Sequence, residues 1–152
     1  MTDLSRRRGS SAKPKNDPEL RGAVFPTAFG WAAAAASPKG VRHLILHQAG
    51  RRRAESALRR LGVEAPPSIP PSLRPVVRAV QAYFEGKPVE LDFPLDLPDL
   101  TPFARRVTEA TRKIGRGQVR SYGEVAAAAG ACGAARAVGA VMARNPVPLA
   151  VP

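Results

Sequence analysis

The chain is expected to fold as a small α/β domain, a β-sheet with helices, followed by a mainly α domain organised on a helix-turn-helix. Three observations carry that expectation. Val24 to Leu46 reads as strands separated by turns. Two amphipathic helical stretches, 51–61 and 73–84, flank a proline-rich connector. The final third holds two short helices separated by a glycine-marked turn. A length of 152 residues suits one domain or two small ones sharing a core.

Residues 1–23 are rich in Arg, Lys, Ser and Pro and hold almost nothing to bury, which marks a disordered basic tail. Arg6, Arg7 and Arg8 within it read as a solvated charge run. The α/β domain is assigned to 24–98. Phe29 and Trp31 precede an alanine run, Ser37-Pro38-Lys39-Gly40 is a turn, and Val41 to Leu46 is aliphatic and β-branched. Alanine favours helix, but Ala32 to Ala36 ends at a Ser-Pro turn and is too short for a stable one, so a hairpin is expected. His43 and His47 would share one face of a strand; two histidines without a third ligand do not make a metal site.

Arg51 to Leu61 places Ala54, Leu58 and Leu61 at helical spacing, with Gly62 as the stop and arginines on the other face. The stretch APPSIPPSLRP is a rigid connector. Leu73 to Phe84 predicts a second helix that buries Val76, Val77, Val80, Tyr83 and Phe84 and ends at Gly86. Val89 to Phe93 predicts a short strand, and Pro94 to Leu100 a linker.

The second domain is assigned to 99–152. Thr101 caps its first helix and Pro102 fits the first turn. Phe103, Val107, Ala110 and Ile114 form the packed edge. Ser121 and Glu124 form a capping box that starts a short helix at Tyr122. Gly130 supplies a φ > 0 stop, Ala131 to Gly133 make the turn, and the next helix runs from Ala134 to about Arg144 before Asn145-Pro146 ends it. A short strand is expected to follow. At 100° per residue, Ala134, Ala135, Val138, Val141 and Met142 share one face, and Arg136, Gly139, Ala140 and Ala143 the other. One side is core. The other is a single arginine on a nearly bare backbone, which lets the helix approach another polymer closely; an Ala-rich packing helix with a solvated arginine fits the same spacing.

The net charge of +12 is unevenly spread, with 13 basic against 4 acidic residues in 1–60, 3 against 6 in 61–100 and 8 against 2 in 101–152. A basic surface speeds encounter with polyanions, so nucleic acid is a natural partner class, although charge alone also suits a membrane surface. Cys132 is the only cysteine, so no intramolecular disulfide can form, in keeping with a reducing compartment. It lies in the turn between the two short helices with no His or acid beside it in sequence, and reads as a small, semi-buried thiol. No apolar run reaches the length of a membrane span, and the N-terminus lacks the apolar core of a secretion signal. A cytoplasmic protein is expected.

Thr101 to Pro152 resembles the DNA-binding and active-site domain of the alkylguanine-DNA alkyltransferases, the methylated-DNA-protein-cysteine methyltransferases. The resemblance is carried by TPFARRV, the SYGEVA helix start, GAARAVGA in the last helix and the NPVPLAVP run. It implies a winged-helix-like second domain beside the small α/β one. Thr108 and Thr111 depart from it, standing where a Trp or Leu and a Leu are usual, and Gly115 replaces a Pro. Two hydroxyls on an apolar face would cost about 1 to 3 kcal/mol each unless hydrogen-bonded.

The resemblance implies repair of alkylated guanine in double-stranded DNA, by a monomer acting from the minor groove, without cofactor or metal, in the cytoplasm and on the nucleoid if bacterial. Chemistry on the guanine O6 atom requires the nucleotide to be extruded from the duplex. Arg136 matches the intercalating arginine that fills the vacated place, and Tyr122 the tyrosine that crowds the neighbouring phosphate and can donate to the extruded base. Gly139, Ala140 and Ala143 suit a helix seated against the walls of a narrow groove. Asn145 matches a hinge asparagine and Pro148 a residue lining the alkyl pocket. In the family the last run continues into Pro-Cys-His-Arg, whose cysteine accepts the alkyl group irreversibly. The nucleophile would follow Pro152, so the second domain is expected to be incomplete at its C-terminus, with no catalytic residue among the 152 and no transfer by this chain. The alternative is a non-catalytic alkyltransferase-like module that binds the lesion.

Overall fold

β1 (Arg21–Thr27), β2 (Gly30–Ser37) and β3 (Gly40–Gln48) form an antiparallel meander in the order β1-β2-β3. The computed structural model describes residues 19–152. The expected tail therefore lies mostly outside the described residues, and its end is corrected: Arg21, Gly22 and Ala23 pair with Ala36, Ala35 and Ala34 as rungs of the β1–β2 ladder.

The alanine run is the centre of the sheet. Ala32 to Ala36 are all buried, with Ala33 and Ala35 turned to the layer of α1 (Arg51–Arg60) and Ala32, Ala34 and Ala36 to that of α2 (Arg74–Phe84). Helical propensity is worth only tenths of a kcal/mol per residue, and burial between two helical layers overrides it. In α1, Ala54 and Leu58 are buried, but Leu61 is exposed because the helix stops at Arg60 and the chain turns through Gly62 at φ 73°. In α2, Val76, Val77 and Val80 are buried beside Leu73; Phe84 is partly buried and Tyr83 exposed, short of the expected stripe.

A bulge in β3 separates the two histidines. Ala33 pairs with Ile45 but Trp31 with Gln48, so β3 carries one extra residue there, and His47 adopts φ 55°. His43, opposite Ala35, belongs to the α1 face, whereas the His47 ring lies 5.5 Å from Phe84 of α2. The expectation of one shared face fails because an inserted residue inverts the two-residue alternation.

The strand expected at Val89 to Phe93 does not form. Pro88 and Pro94 lack the N–H a ladder requires, and pairing comes later as a single parallel bridge between Val41 and Leu95. Val41 N–H donates to the Pro94 carbonyl at 2.8 Å, and Asp96 N–H to the Val41 carbonyl at 2.9 Å. Gly40 is required there: at φ 151° any Cβ would collide with the Pro94 carbonyl. Asp96 then accepts from Arg42 Nη2 at 2.7 Å and from Ser37 Oγ at 2.6 Å, with the Arg42 and Asp96 side chains only 9% and 11% exposed. The Ser37 hydrogen bond, and after it the Arg42 guanidinium, hold the Asp96 carboxyl below the usual carboxylate range.

α3 (Pro102–Arg112), α4 (Tyr122–Ala128) and α5 (Ala135–Met142) enclose a second core of Val107, Val125, Ala126, Ala129 and Val138. Thr101 Oγ1 caps α3 by accepting from Ala104 N–H at 3.2 Å. Arg106 Nε donates to the Ala129 carbonyl at 2.9 Å and ties α3 to the end of α4. Thr111 is buried, but its hydroxyl donates back to the Val107 carbonyl at 2.8 Å, which removes most of the expected cost. Thr108 is only half-buried, so its hydroxyl is not trapped in the core.

After α5 the chain turns instead of forming the expected strand. Val151 N–H reaches back to the Val147 carbonyl at 3.1 Å, and Leu149 sits at φ 73°. This turn joins the two domains: Val147 and Ala150 are buried with the α2 layer, and Leu44 N–H of β3 donates to the Pro146 carbonyl at 2.8 Å.

Candidate nucleic-acid interface

The capping box at the start of α4 sets the position of Tyr122. Glu124 N–H donates to Ser121 Oγ at 3.2 Å, and Ser121 N–H to Glu124 Oε2 at 2.7 Å. The backbone hydrogen bond from Ser121, then its hydroxyl, lowers the Glu124 carboxyl below its ordinary range. Tyr122 is the first residue of the helix thus capped and is 51% exposed.

The phenol ring lies against α5 at Gly139. A Cβ built there would stand 3.3 Å from Tyr122 Cε2 and 3.5 Å from Cδ2. Gly139 is therefore a seat for Tyr122 and is half-buried by it, not part of a bare outward face. Arg136, three residues earlier and hence on the adjacent turn, is exposed in the first turn of α5. Ala140 and Ala143 are exposed, with Ala140 also lining a cleft of about 390 Å³ between the domains, together with Arg42, His43, Thr108 and Asn145. The arrangement pairs one long cation with one aromatic edge over small side chains, so it can push a guanidinium into a polymer while a ring bears on its neighbour.

Replacing Gly139 tests the seat. Gly139→Ala is expected to raise helix stability by up to about 1 kcal/mol while shifting the ring by tenths of an ångström, and Gly139→Leu to eject it. Thermal melts and the Tyr122 ring resonances read the two effects separately; ring resonances unchanged in the leucine variant would contradict the contact.

Asn145 holds the turn after α5 with both ends of its amide. Its Nδ2 donates to the Val151 carbonyl at 2.7 Å, and Val147 N–H donates to its Oδ1 at 3.0 Å. Pro148 is half-buried in this turn. Cys132 is exposed in the α4–α5 turn, not semi-buried as expected. Among the described residues no three His, Cys, Asp or Glu side chains gather where a metal could sit, and no helix is long and apolar enough to cross a membrane.

Sequence reasoning missed the Tyr122–Gly139 contact and the Arg42–Asp96 clamp. The first leaves no signal in spacing, since it joins two helices. The second leaves one: an arginine inside the aliphatic run Val41 to Leu46 must find a carboxylate if the run is buried.

Two family models cover most of the chain. The DNA binding domain of 6-O-methylguanine DNA methyltransferase matches residues 102–152, and the ribonuclease-like domain of the same enzyme matches 35–97. A methylated-DNA–protein-cysteine methyltransferase of Mycolicibacterium paratuberculosis is 47% identical over 76 residues, which are 50% of this chain and 46% of that protein. The constitutive enzyme of the same name from Bacillus subtilis is 39% identical over 82 residues, 54% of this chain and 49% of that one. The matched stretch thus spans about half the length of these curated relatives. Among solved structures, the Mycobacterium tuberculosis O6-methylguanine methyltransferase superposes with a TM-score of 0.68 at 32% identity, over 88% of this chain and 74% of that one. Mycobacterium tuberculosis OGT in complex with DNA superposes with a TM-score of 0.69 at 32% identity, over 87% and 75%. With both domains matched in order and about a third of residues identical across about three quarters of a solved relative, the chain belongs to the 6-O-methylguanine DNA methyltransferase family.

Proposed function

We propose that this chain recognises alkylated guanine in double-stranded DNA through α4 and α5, as the lesion-handling part of a protein that repairs the base by moving its alkyl group from O6 to a cysteine. The observation that carries the reading is the paired surface of exposed Arg136 and the Tyr122 ring seated on Gly139. In this reading Arg136 enters from the minor groove and occupies the place of the extruded nucleotide, and Tyr122 bears on the adjacent phosphate. Ala140 and Ala143 leave room for the sugar-phosphate walls, and contacts of that kind position without reading sequence. Asn145 fixes the turn carrying Pro148, which is assigned to the alkyl pocket. Transfer forms a sulfur–carbon bond as the O6–carbon bond breaks; the electron pair returns to the guanine, to which the Tyr122 hydroxyl can supply a proton. The chain works as a monomer, in the cytoplasm or on the nucleoid.

A second reading is lesion binding without transfer by these 152 residues, in which Cys132 is a bystander. It is the only thiol of the 152 residues, and it is exposed in the α4–α5 turn and does not line the interdomain cleft. Two measurements test lesion recognition and the role of Cys132. The 152-residue chain is expected to bind a duplex containing O6-methylguanine more tightly than the unmodified duplex at fixed salt. With a methyl-labelled duplex, the label is expected to stay on the DNA. Equal binding to both duplexes would refute lesion recognition, and label on Cys132 would overturn the assignment of that thiol as a bystander.

A further inference from the structure

We propose that the outward face of α1 is a second contact surface for the phosphate backbone of duplex DNA, separate from α4 and α5. The helix reads RRRAESALRR, with Ala54 and Leu58 buried against the sheet. At 100° per residue, Arg59, Arg52, Ser56, Arg60 and Arg53 fall in that order across the opposite face. All four arginines are exposed. Arg51 is set apart from them: its Nε donates to Glu55 at 2.8 Å, and its guanidinium lies 5.9 Å from the centre of the Trp31 ring. Among the described residues no carboxylate stands within ion-pair distance of Arg52, Arg53, Arg59 or Arg60.

The arrangement is unfavourable for α1 itself. Arg51 to Arg53 crowd the positive end of the helix dipole, the first turn holds no acid, and Gly50 provides no side-chain cap. Four unneutralised guanidiniums on one face also repel one another. A polyanion relieves both effects. Arg52 to Arg60 spans roughly 12 Å of helix axis, and the same length of duplex carries roughly seven phosphates over its two strands. Guanidiniums spaced along a rigid helix match that density, whereas a flexible charged segment would first have to be ordered. α1 packs on the face of the sheet opposite the α2 layer in which the turn after α5 is buried. Its arginines therefore point away from that turn and meet a different stretch of backbone from the one under Arg136.

The surface does not depend on lesion recognition, so its test uses unmodified duplex. Arg52, Arg53, Arg59 and Arg60, all replaced by Gln in the full chain, are expected to lower the slope of log K against log salt by roughly 2 to 3, since each phosphate contact contributes about 0.9. The ratio of affinities for alkylated and plain duplex is expected to stay unchanged. A control of equal charge change, with Lys39, Arg74, Arg78 and Lys87 replaced by Gln, is expected to change the slope by less than about 1. Equal losses in the two variants would assign the effect to bulk charge and overturn the proposal. So would a quadruple α1 variant that binds plain duplex as the parent does, or one that loses binding only to vesicles of anionic lipid. Should that variant fail to fold, amide protection of α1 on adding plain duplex to the parent chain decides the matter: protection supports the surface, and its absence refutes it.

Discussion

Arg136→Ala is expected to weaken binding of an alkylated duplex by roughly 30-fold, corresponding to about 2 kcal/mol at an interface hot spot. Arg59→Ala, on α1, should cost no more than about threefold at moderate salt, as loss of one exposed phosphate contact does. The two residues carry the same charge and are both exposed, so any difference between them reports position. Arg136 stands on the first turn of a helix whose opposite side is fixed by fully buried Val138. It is thus carried by a rigid element, one turn from Gly139, on which the Tyr122 ring rests. Truncation there removes the only group in the α5 surface long enough to occupy a vacated base position, whereas any arginine of α1 can be replaced in part by its neighbours. Titrations of both variants against alkylated and plain duplexes at one salt concentration provide the check. Equal losses would mean that α5 attracts DNA by charge alone and that no nucleotide is displaced.

Asp96→Ala is expected to destabilise the fold by about 3 kcal/mol, the cost of removing one partner from a largely buried ion pair. The change removes the Asp96 carboxylate from the Arg42 guanidinium and the acceptor of the Ser37 hydroxyl. It also loosens the strap from 94 to 96 that covers the open edge of β3. Denaturant midpoints of Asp96→Ala and Asp96→Asn measure the effect, with Asn expected to lose less because it still accepts from Ser37. The pH dependence has a defined sign. The folded-state pKa of Asp96 lies below its ordinary value of 3.8, so its stabilisation is complete above that value and is lost as pH falls through the folded pKa. Burial, and then the nearby Arg42 charge, lower the His43 pKa from 6.5, so protons favour the unfolded chain from about that pH downward. Stability should therefore decline in two stages on acidification, with the first stage absent in His43→Gln. A single acid transition in both proteins would contradict this account.

Local signals in the sequence transfer well to the structure. Thr101 and the Ser121–Glu124 box are legible as helix starts because the groups that cap a helix lie within four residues of one another. Gly62, Gly86 and Gly130 are legible as stops, since each adopts a positive φ that side chains resist. The strand at Val89 to Phe93 is misread because an alternating apolar run needs a partner edge, and the edge of β3 is met by Leu95 instead. His43 and His47 are misread because a bulge depends on the neighbouring strand and not on the residues that contain it.

The sequence by itself determined the order of helices and hairpins, their caps and stops, and the outward placement of Arg136 on α5. All of these follow from interactions within one or two turns of chain. Tertiary structure alone decided that Tyr122 rests on Gly139, that Asp96 locks Arg42 and Ser37, and that Val147 and Ala150 bury themselves in the core of the other domain. Each of these joins residues distant along the chain or carried by separate elements, and no periodicity encodes which surfaces will meet once burial has chosen the packing.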